Sequence, residues 1–258
     1  MDPLNLNVPQ LLWTRLAVAV SMAGLGGLAA VSFKRISHVW LCGLISFAAG
    51  ALLSVAFFDI LPEAVEAVGI RGAGLAALSG YVLFFFLSRF VSHVCPACAA
   101  THTESQFKTL TWTLVVALSV HSSMDGLAIA SGYQMDSKLG MLVLLAVAYH
   151  KLPEGLALTL VARGSGMSRA RAFALALGIE TATTLGGGVA GMATAAAGSG
   201  LWPGLILAHV AGGFVYIVIH ALLIEVVKHH PRVTVAAALL GGASMFLAAA
   251  LAGPAAPH

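Results

Sequence analysis

Charged residues are scarce in this sequence: Asp, Glu, Lys and Arg make up 9% of its 258 residues, whereas apolar residues make up 59%. A soluble domain carries about 25% charged residues, which keep its surface hydrated. This shortage, together with a mean hydropathy of +0.95, excludes an ordinary soluble protein and indicates one embedded in a membrane. The apolar residues come in long continuous runs, which also excludes the alternating strands of a membrane barrel.

The low cysteine content and the absence of two known motifs exclude several classes of function. The chain has 3 cysteines, too little sulfur for the sites that select copper(I). No G-x-x-x-x-G-K-[ST] motif occurs, which argues against the use of ATP, and no H-E-x-x-H motif occurs, which argues against a zinc protease of that class. The pI near 8.9 is explained by cations in the loops on one side, so no nucleic-acid partner is expected.

Eight apolar stretches predict an all-α integral membrane protein that forms a single transmembrane domain, since each is near the roughly 20 residues that a spanning helix needs. The predicted spans are about 11–33, 39–58, 73–92, 110–133, 139–162, 170–197, 204–227 and 232–252.

The distribution of Lys and Arg among the connections predicts the orientation of the chain, because short cytoplasmic loops carry the excess of these residues. The odd-to-even connections hold most of them, whereas the other side has only Arg15, Arg71 and Lys138. Both termini are therefore predicted to lie outside the cytoplasm, in a plasma (inner) membrane. The cytoplasmic set is Lys34, Arg35, Arg89, Lys108, Arg163, Arg169, Arg171, Lys228 and Arg232.

Three ionisable residues are predicted to share one depth in the membrane. His121 and His150 each lie 11 residues after the estimated start of their spans, and Glu180 lies about 10 residues into the next. At 1.5 Å per residue they are roughly 15–17 Å deep, near the midplane of a core about 30 Å thick. Ionisable residues at this depth mark a site or a pathway by default, although any one of them alone also suits a hydrogen bond between helices.

The segments "HSSMDGLAI" and "HKLPEGLAL" repeat one design in consecutive antiparallel helices. Each places a carboxylate, Asp125 or Glu154, four residues after a histidine, hence on the same helical face. Facing each other, the segments would form a site of two imidazoles and two carboxylates. Two carboxylates neutralise a divalent ion, and imidazole nitrogen favours zinc, iron or similar ions over magnesium and calcium. Pro153 predicts a kink beside this site.

At these residues the sequence resembles the ZIP family of divalent metal transporters, whose fourth and fifth helices carry such motifs. The stretches "FAAGALLSVAFFDILPEA" and "GGFVYIVIH" are similar to the family's second and seventh helices. The resemblance implies a 3+2+3 arrangement, in which spans one to three are related to spans six to eight by inverted symmetry. It also implies import of the metal into the cytoplasm.

The resemblance assigns His121, Asp125, His150 and Glu154 to the main metal site and Glu180 to a second one. Two positions depart from the pattern of many bacterial members: Ser122 stands where an Asn is usual, and Lys151 where an Asn or Asp would bind metal. A protonated ammonium has no lone pair to offer a metal. The hypothesis is that Lys151 replaces the second ion by a fixed charge paired with Glu180 or Asp125, which leaves one transported metal.

Flanking polar residues extend the predicted path. Asp59 and Glu63, which lie with Glu66 at the outer end of the second span, are candidates for an anionic entrance, although an ordinary solvated helix end explains them equally well. Candidates for an exit on the cytoplasmic side are His220, Glu225, His229 and His230.

The cytoplasmic loop 93–109 contains "HVCPACAATH", a C-x-x-C motif with flanking histidines. Such a set can bind zinc tetrahedrally, but half-motifs this short also arise as redox or incidental pairs. The candidate ligands are His93, Cys95, Cys98 and His102.

The sequence therefore predicts a transporter, without enzymatic activity or a cofactor, that moves zinc as its substrate by alternating access. Cadmium, iron(II) and manganese(II) are other candidate substrates, and a homodimer is the candidate assembly. Two further interpretations stay open: an intramembrane zinc hydrolase, which would keep a coordination position for water, and a membrane sensor whose true site is the Cys/His loop.

Overall fold

A computed structural model of the chain describes residues 8–32, 37–90, 104–196, 201–223 and 230–251. Within these ranges all regular structure is helical and no strand occurs. The α-helices are α1 (Val8–Ser32), α2 (His38–Val55), α3 (Leu61–Phe90), α4 (Glu104–Met135), α5 (Ser137–Gly164), α6 (Arg169–Ala196), α7 (Trp202–Tyr216) and α8 (Pro231–Leu251).

Seven helical segments of the described chain are long and apolar enough to cross a membrane. The prediction of an all-helical membrane protein is confirmed at this level. The segments are Leu11–Ser32, Cys42–Leu87, Leu114–Met135, Ser137–Gly164, Arg169–Thr194, Trp202–His220 and Pro231–Leu251.

The segment Cys42–Leu87 has 46 residues, more than twice the length of one span, and most of the predicted spans 39–58 and 73–92 lies within it. A π-helical turn, Ala56–Ile60, joins α2 to α3. Pro62 follows this turn and has no N–H to donate to a carbonyl one turn earlier. Inside α3, Gly69 takes a non-helical conformation with φ 74° and ψ 159°, which favours glycine because it has no Cβ. The segment therefore consists of two helical arms that meet at Gly69.

The helices pack in a small number of principal pairs. The most extensive contacts join α1 to α5, α4 to α6, α2 to α8, α3 to α7, and α4 to α5. The central pair α4 and α5 is thus flanked by α6 and α1.

Glycine lets the paired helices approach each other closely. On α4 a Cβ at Gly126 would collide with the carbonyl oxygen of Thr184, and on α6 a Cβ at Gly187 would collide with that of Ser123. Each helix thus presses a backbone carbonyl against a glycine of the other, as expected where small residues lie in membrane interfaces. The same reciprocal contact occurs at Gly26 with Gly155, Gly50 with Gly241, and Gly80 with Gly212.

Adjacent glycines of α6 provide a test of this contact. We expect Gly187→Ala to lower the melting temperature of the detergent-solubilised protein, because the added methyl group forces α4 and α6 apart at a cost of about 1–3 kcal/mol. Gly186→Ala is the matched control, since Gly186 is exposed and a Cβ there meets nothing within 4 Å. Equal melting temperatures for the two variants would contradict the proposed contact.

Candidate metal centre

A one-residue connection brings the two motif helices together. Helix α4 ends at Met135 and α5 begins at Ser137, so that only Asp136 separates them. Asp136 is extended, and its Oδ1 accepts hydrogen bonds from the backbone N–H groups of Lys138 (2.9 Å) and Leu139 (3.0 Å). A carboxylate in this N-cap position satisfies amides that have no partner within the helix. The short capped turn makes α4 and α5 antiparallel neighbours, and α5 then continues through Pro153 to Gly164.

The two repeated motifs meet in the interior of the bundle. His121 and Asp125 of α4 face His150 and Glu154 of α5, and one donor atom from each lies within 4.8 Å of the other three. Among the described residues this is the one group of three or more His, Cys, Asp or Glu side chains placed to hold a metal ion. Asp125 is fully buried, and both histidines are buried with only 5–7% exposed.

Each histidine reaches toward the carboxylate of the other motif. The Nε2 atom of His150 lies 3.2 Å from Oδ2 of Asp125, and the Nε2 atom of His121 lies 3.8 Å from Oε1 of Glu154. The Nδ1 atom of His150 donates a hydrogen bond of 3.0 Å to the carbonyl oxygen of Ala146. In a neutral ring with its proton on Nδ1, Nε2 would direct a lone pair at the site, as in many metal centres.

A fully buried lysine lies beside these donors. The Nζ atom of Lys151 is 2.6 Å from Oε2 of Glu180, 2.8 Å from Oδ2 of Asp125 and 3.0 Å from Oε2 of Glu154. It also donates to Oγ of Ser122, which in turn donates a hydrogen bond of 2.7 Å to Glu180. All the residues that sequence analysis placed in the main and second sites are therefore in one cluster. Their role as ligands stays a prediction.

The charges of this cluster would not cancel with all of its carboxylates ionised. With neutral histidines, the ionised forms of Asp125, Glu154 and Glu180 together with the ammonium of Lys151 would carry a net charge of −2. Oδ1 of Asp125, Oε1 of Glu180, Oε1 of Glu154 and Nδ1 of His121 are buried and make no hydrogen bond, whereas Oε2 of Glu154 is in the ion pair with Lys151. Buried negative charge is costly unless it is paired. The arrangement therefore favours a divalent cation.

Two aromatic residues beside the site were missed by sequence analysis. Phe214 of α7 and Phe84 of α3 are buried, and their rings contact the imidazoles of the cluster. Neither position carries a polar group that would distinguish it from the other apolar residues of its span. "GGFVYIVIH" was noted as similar to a family helix, but this similarity does not show which residue reaches the site.

The other described candidates lie apart from the cluster. Asp59 lies in the π-helical turn, where it interacts electrostatically with Lys138 at the start of α5. Glu63 lies in the first turn of α3. A second π-helical turn, Ile217–Leu223, contains His220, whose ring stacks on Tyr216 with centroids 4.7 Å apart.

His230 immediately precedes α8. The remaining predicted candidates lie outside the described residues: His93, Cys95, Cys98 and His102 of the loop, together with Glu225 and His229. Helix α4 begins at Glu104, so that residues 104–109 of the predicted loop are helical.

Comparison with known proteins identifies similar sequences. The family model described as "ZIP Zinc transporter" matches residues 97–249. The chain is 29% identical to the zinc transporter ZupT of Corynebacterium glutamicum over 138 residues, which cover 52% of this chain and 46% of that protein. It is 27% identical to ZupT of Corynebacterium efficiens, with 56% of this chain and 52% of that protein covered.

A similar match is found in a mammalian protein: the chain is 23% identical to the zinc transporter SLC39A7 of Rattus norvegicus, with 79% of this chain and 64% of that protein covered. The chain spans about half the length of the Corynebacterium relatives that it matches.

Proposed function

Because this chain belongs to the ZIP zinc transporter family, we propose that it carries divalent transition metal ions, above all zinc, across the membrane. The proposed binding site consists of His121, Asp125, His150 and Glu154. The observation that carries this proposal is the convergence of two imidazoles and two carboxylates from neighbouring helices, with donor atoms within 4.8 Å of one another.

The spacing of the donors suits one zinc ion. Zinc binds nitrogen and oxygen at about 2.0–2.2 Å, so the donors of a tetrahedral site lie about 3.4 Å apart. The cross-motif distances of 3.2 and 3.8 Å are near this value, so small side-chain movements would complete the site. Cadmium, iron(II) and manganese(II) are candidate substrates for the same donors, and no separate cofactor is proposed.

Lys151 is proposed to take the place of a second ion. Its ammonium lies within 3.0 Å of oxygen atoms of Glu180, Asp125 and Glu154, where it cannot bind a metal but neutralises one negative charge. With all three carboxylates ionised, the net charge of −2 that remains matches a single divalent ion. Ser122 and Glu180 therefore hold the lysine and do not bind metal in this proposal.

The number of protein donors favours transport of the ion over catalysis. A catalytic zinc site usually has three protein ligands and an open position for water, whereas here four protein donors lie within 4.8 Å of one another. We propose that the ion reaches this site from each side of the membrane in turn, and that net movement is into the cytoplasm.

The helix pairing supports the 3+2+3 arrangement with inverted repeats. Exchanging α1 with α6, α2 with α7, α3 with α8 and α4 with α5 maps the principal pairs onto one another: α1–α5 becomes α6–α4, and α2–α8 becomes α7–α3. The glycine contacts follow the same exchange, since the pair between α1 and α5 corresponds to the pair between α6 and α4. We propose eight spans, with the arms 42–68 and 70–87 counted separately.

We also propose an orientation in the membrane, an entrance and exit for the ion, and an assembly. Both termini lie outside the cytoplasm, because the predicted inner connections carry most of the Lys and Arg, and the host is a plasma membrane. Asp59 and Glu63 form an outer entrance, and the histidines after α7, beginning with His220, form an inner exit. A homodimer is the proposed assembly.

Uptake into proteoliposomes tests the proposed function. We expect the purified full chain, reconstituted with a zinc indicator inside the vesicles, to give saturable uptake under an inward zinc gradient, whereas protein-free vesicles show only a slow leak. Saturation is expected because each cycle must pass through one discrete site. Tight zinc binding without uptake would contradict the proposal and favour a catalytic or sensory role.

A further inference from the structure

Both imidazoles of the metal centre contact the ring of Phe214. The ring centroids are 5.9 Å apart for Phe214 with His121 and 5.9 Å for Phe214 with His150, at interplanar angles of 72° and 66°. The two imidazole centroids are themselves 5.1 Å apart. Phe214 therefore makes an edge-to-face contact with each imidazole, an arrangement that aromatic rings prefer, whereas the two imidazole planes are tilted by 46° to each other. Phe214 is 1% exposed, so its ring is enclosed by the bundle.

A second phenylalanine extends this apolar surface. The ring centroid of Phe84 in α3 lies 6.1 Å from that of the His121 imidazole, and the two ring planes make an angle of 84°. Gly213 makes room for it, because a Cβ at Gly213 would lie 2.7 Å from the ring of Phe84. We call Phe84 and Phe214 the aromatic wall.

The aromatic wall and the charged residues are supplied by different helices. The wall comes from α3 and α7, whereas Asp125, Glu154, Lys151 and Glu180 come from α4, α5 and α6. The rings contact the nitrogen ligands, and the ionic contacts described for the site all involve the carboxylates. The site thus has an apolar side and a charged side.

We propose that Phe214 is a positioning residue that determines which ions the site accepts, an inference that rests on the proposed metal transport. Its ring holds both imidazoles in the orientation that directs their Nε2 atoms toward the carboxylates. It also denies the bound ion space for retained water molecules on the apolar side. Ions that prefer water and carboxylate oxygen, such as manganese(II), are disfavoured, whereas zinc exchanges its water for imidazole nitrogen.

Removing the ring while preserving most of the volume isolates this role. Phe214→Leu keeps an apolar side chain in the core, and the smaller side chain is expected to lower the stability by leaving a small cavity. Without the edge contacts, the imidazoles gain rotational freedom and water enters beside the ion. We expect the ratio of manganese to zinc dissociation constants to fall by about 10-fold, within the range found when partners that orient metal ligands are removed.

The visible absorption of bound cobalt(II) provides a second measurement of the change at the site. Bound to wild-type protein in detergent, cobalt(II) is expected to show the intense visible absorption of four-coordinate geometry. In Phe214→Leu this absorption is expected to weaken, because added water raises the coordination number. Phe246→Leu is the matched control, since Phe246 of α8 is 53% exposed and is expected to retain the wild-type spectrum and ratio.

The outcomes separate this inference from the proposed function. If wild-type protein binds none of zinc, manganese(II) and cobalt(II), the proposed function itself fails. If wild type binds them and Phe214→Leu keeps the same spectrum and selectivity ratio, Phe214 has no positioning role. An equal loss of affinity for zinc and manganese(II), with a lower melting temperature, would also overturn the inference, because it would indicate core packing alone.

Discussion

Zinc uptake is expected to fall by more than about 100-fold when His150 or Glu154 is replaced by alanine. Each substitution removes one of four donors from a site that is almost closed to water, so the loss is expected to exceed the 10–100-fold cost of removing a partner that only orients a ligand. His150 also holds a hydrogen bond to Ala146 and a contact with Asp125, so neighbouring groups lose their orientation too. Initial rates of uptake into proteoliposomes measure the effect.

A matched control exists for the histidine variant. His209→Ala removes a half-buried histidine that contacts Ser79 and lies outside the four-donor group. This control is expected to keep most of the uptake. Glu154→Gln keeps the shape of the side chain while removing its charge, and we expect it to fail as Glu154→Ala does. Normal uptake by a correctly folded His150→Ala protein would show that the ion does not pass through this site.

Replacing Lys151 by asparagine is expected to change both stability and metal content. Without the ammonium, the carboxylates around it lose their counter-charge, and removing one partner of a buried ion pair costs about 3–5 kcal/mol. The metal-free protein should melt roughly 10 °C lower. Zinc should restore much of this stability, because the amide oxygen of Asn and the freed carboxylate of Glu180 complete a second site. Elemental analysis should then find two zinc ions per chain, against one in the wild type.

Lys138→Asn is the control for this variant. Lys138 is half-buried at the start of α5, so the substitution changes the net charge of the chain equally without touching the cluster. It is expected to keep one zinc ion and nearly the wild-type melting temperature. Two bound ions in the wild type, or one in Lys151→Asn, would contradict the role of Lys151 as a replacement for the second metal.

Much of the candidate site was predictable because its signals are local. A histidine and an acid four residues apart share a helical face in any α-helix, and the repeat of this pair in consecutive antiparallel spans predicted where the faces would meet. The helical class followed from long apolar runs with few charges. The similarity of the motifs to ZIP sequences was confirmed by the family match over residues 97–249.

Other features depended on contacts between distant parts of the chain. Sequence analysis left open whether Lys151 pairs with Glu180 or Asp125, since the reach of a lysine depends on how helices are placed around it. In the structure its Nζ lies within 2.8 Å of oxygen atoms of both. Phe214 is 93 residues along the chain from His121, and no periodicity connects an apolar residue of one span with the ligands of another.

The sequence by itself determined the helical class, the membrane environment and the candidate metal ligands, because each depends on composition or on spacing within one helix. Only the tertiary structure decided that α3 and α7 supply an apolar side and that α4, α5 and α6 supply a charged one. The physical reason is that helix pairing depends on where a glycine such as Gly126 meets a carbonyl group from another helix. Such a contact requires residues from two separate segments, so it cannot be predicted from either segment alone.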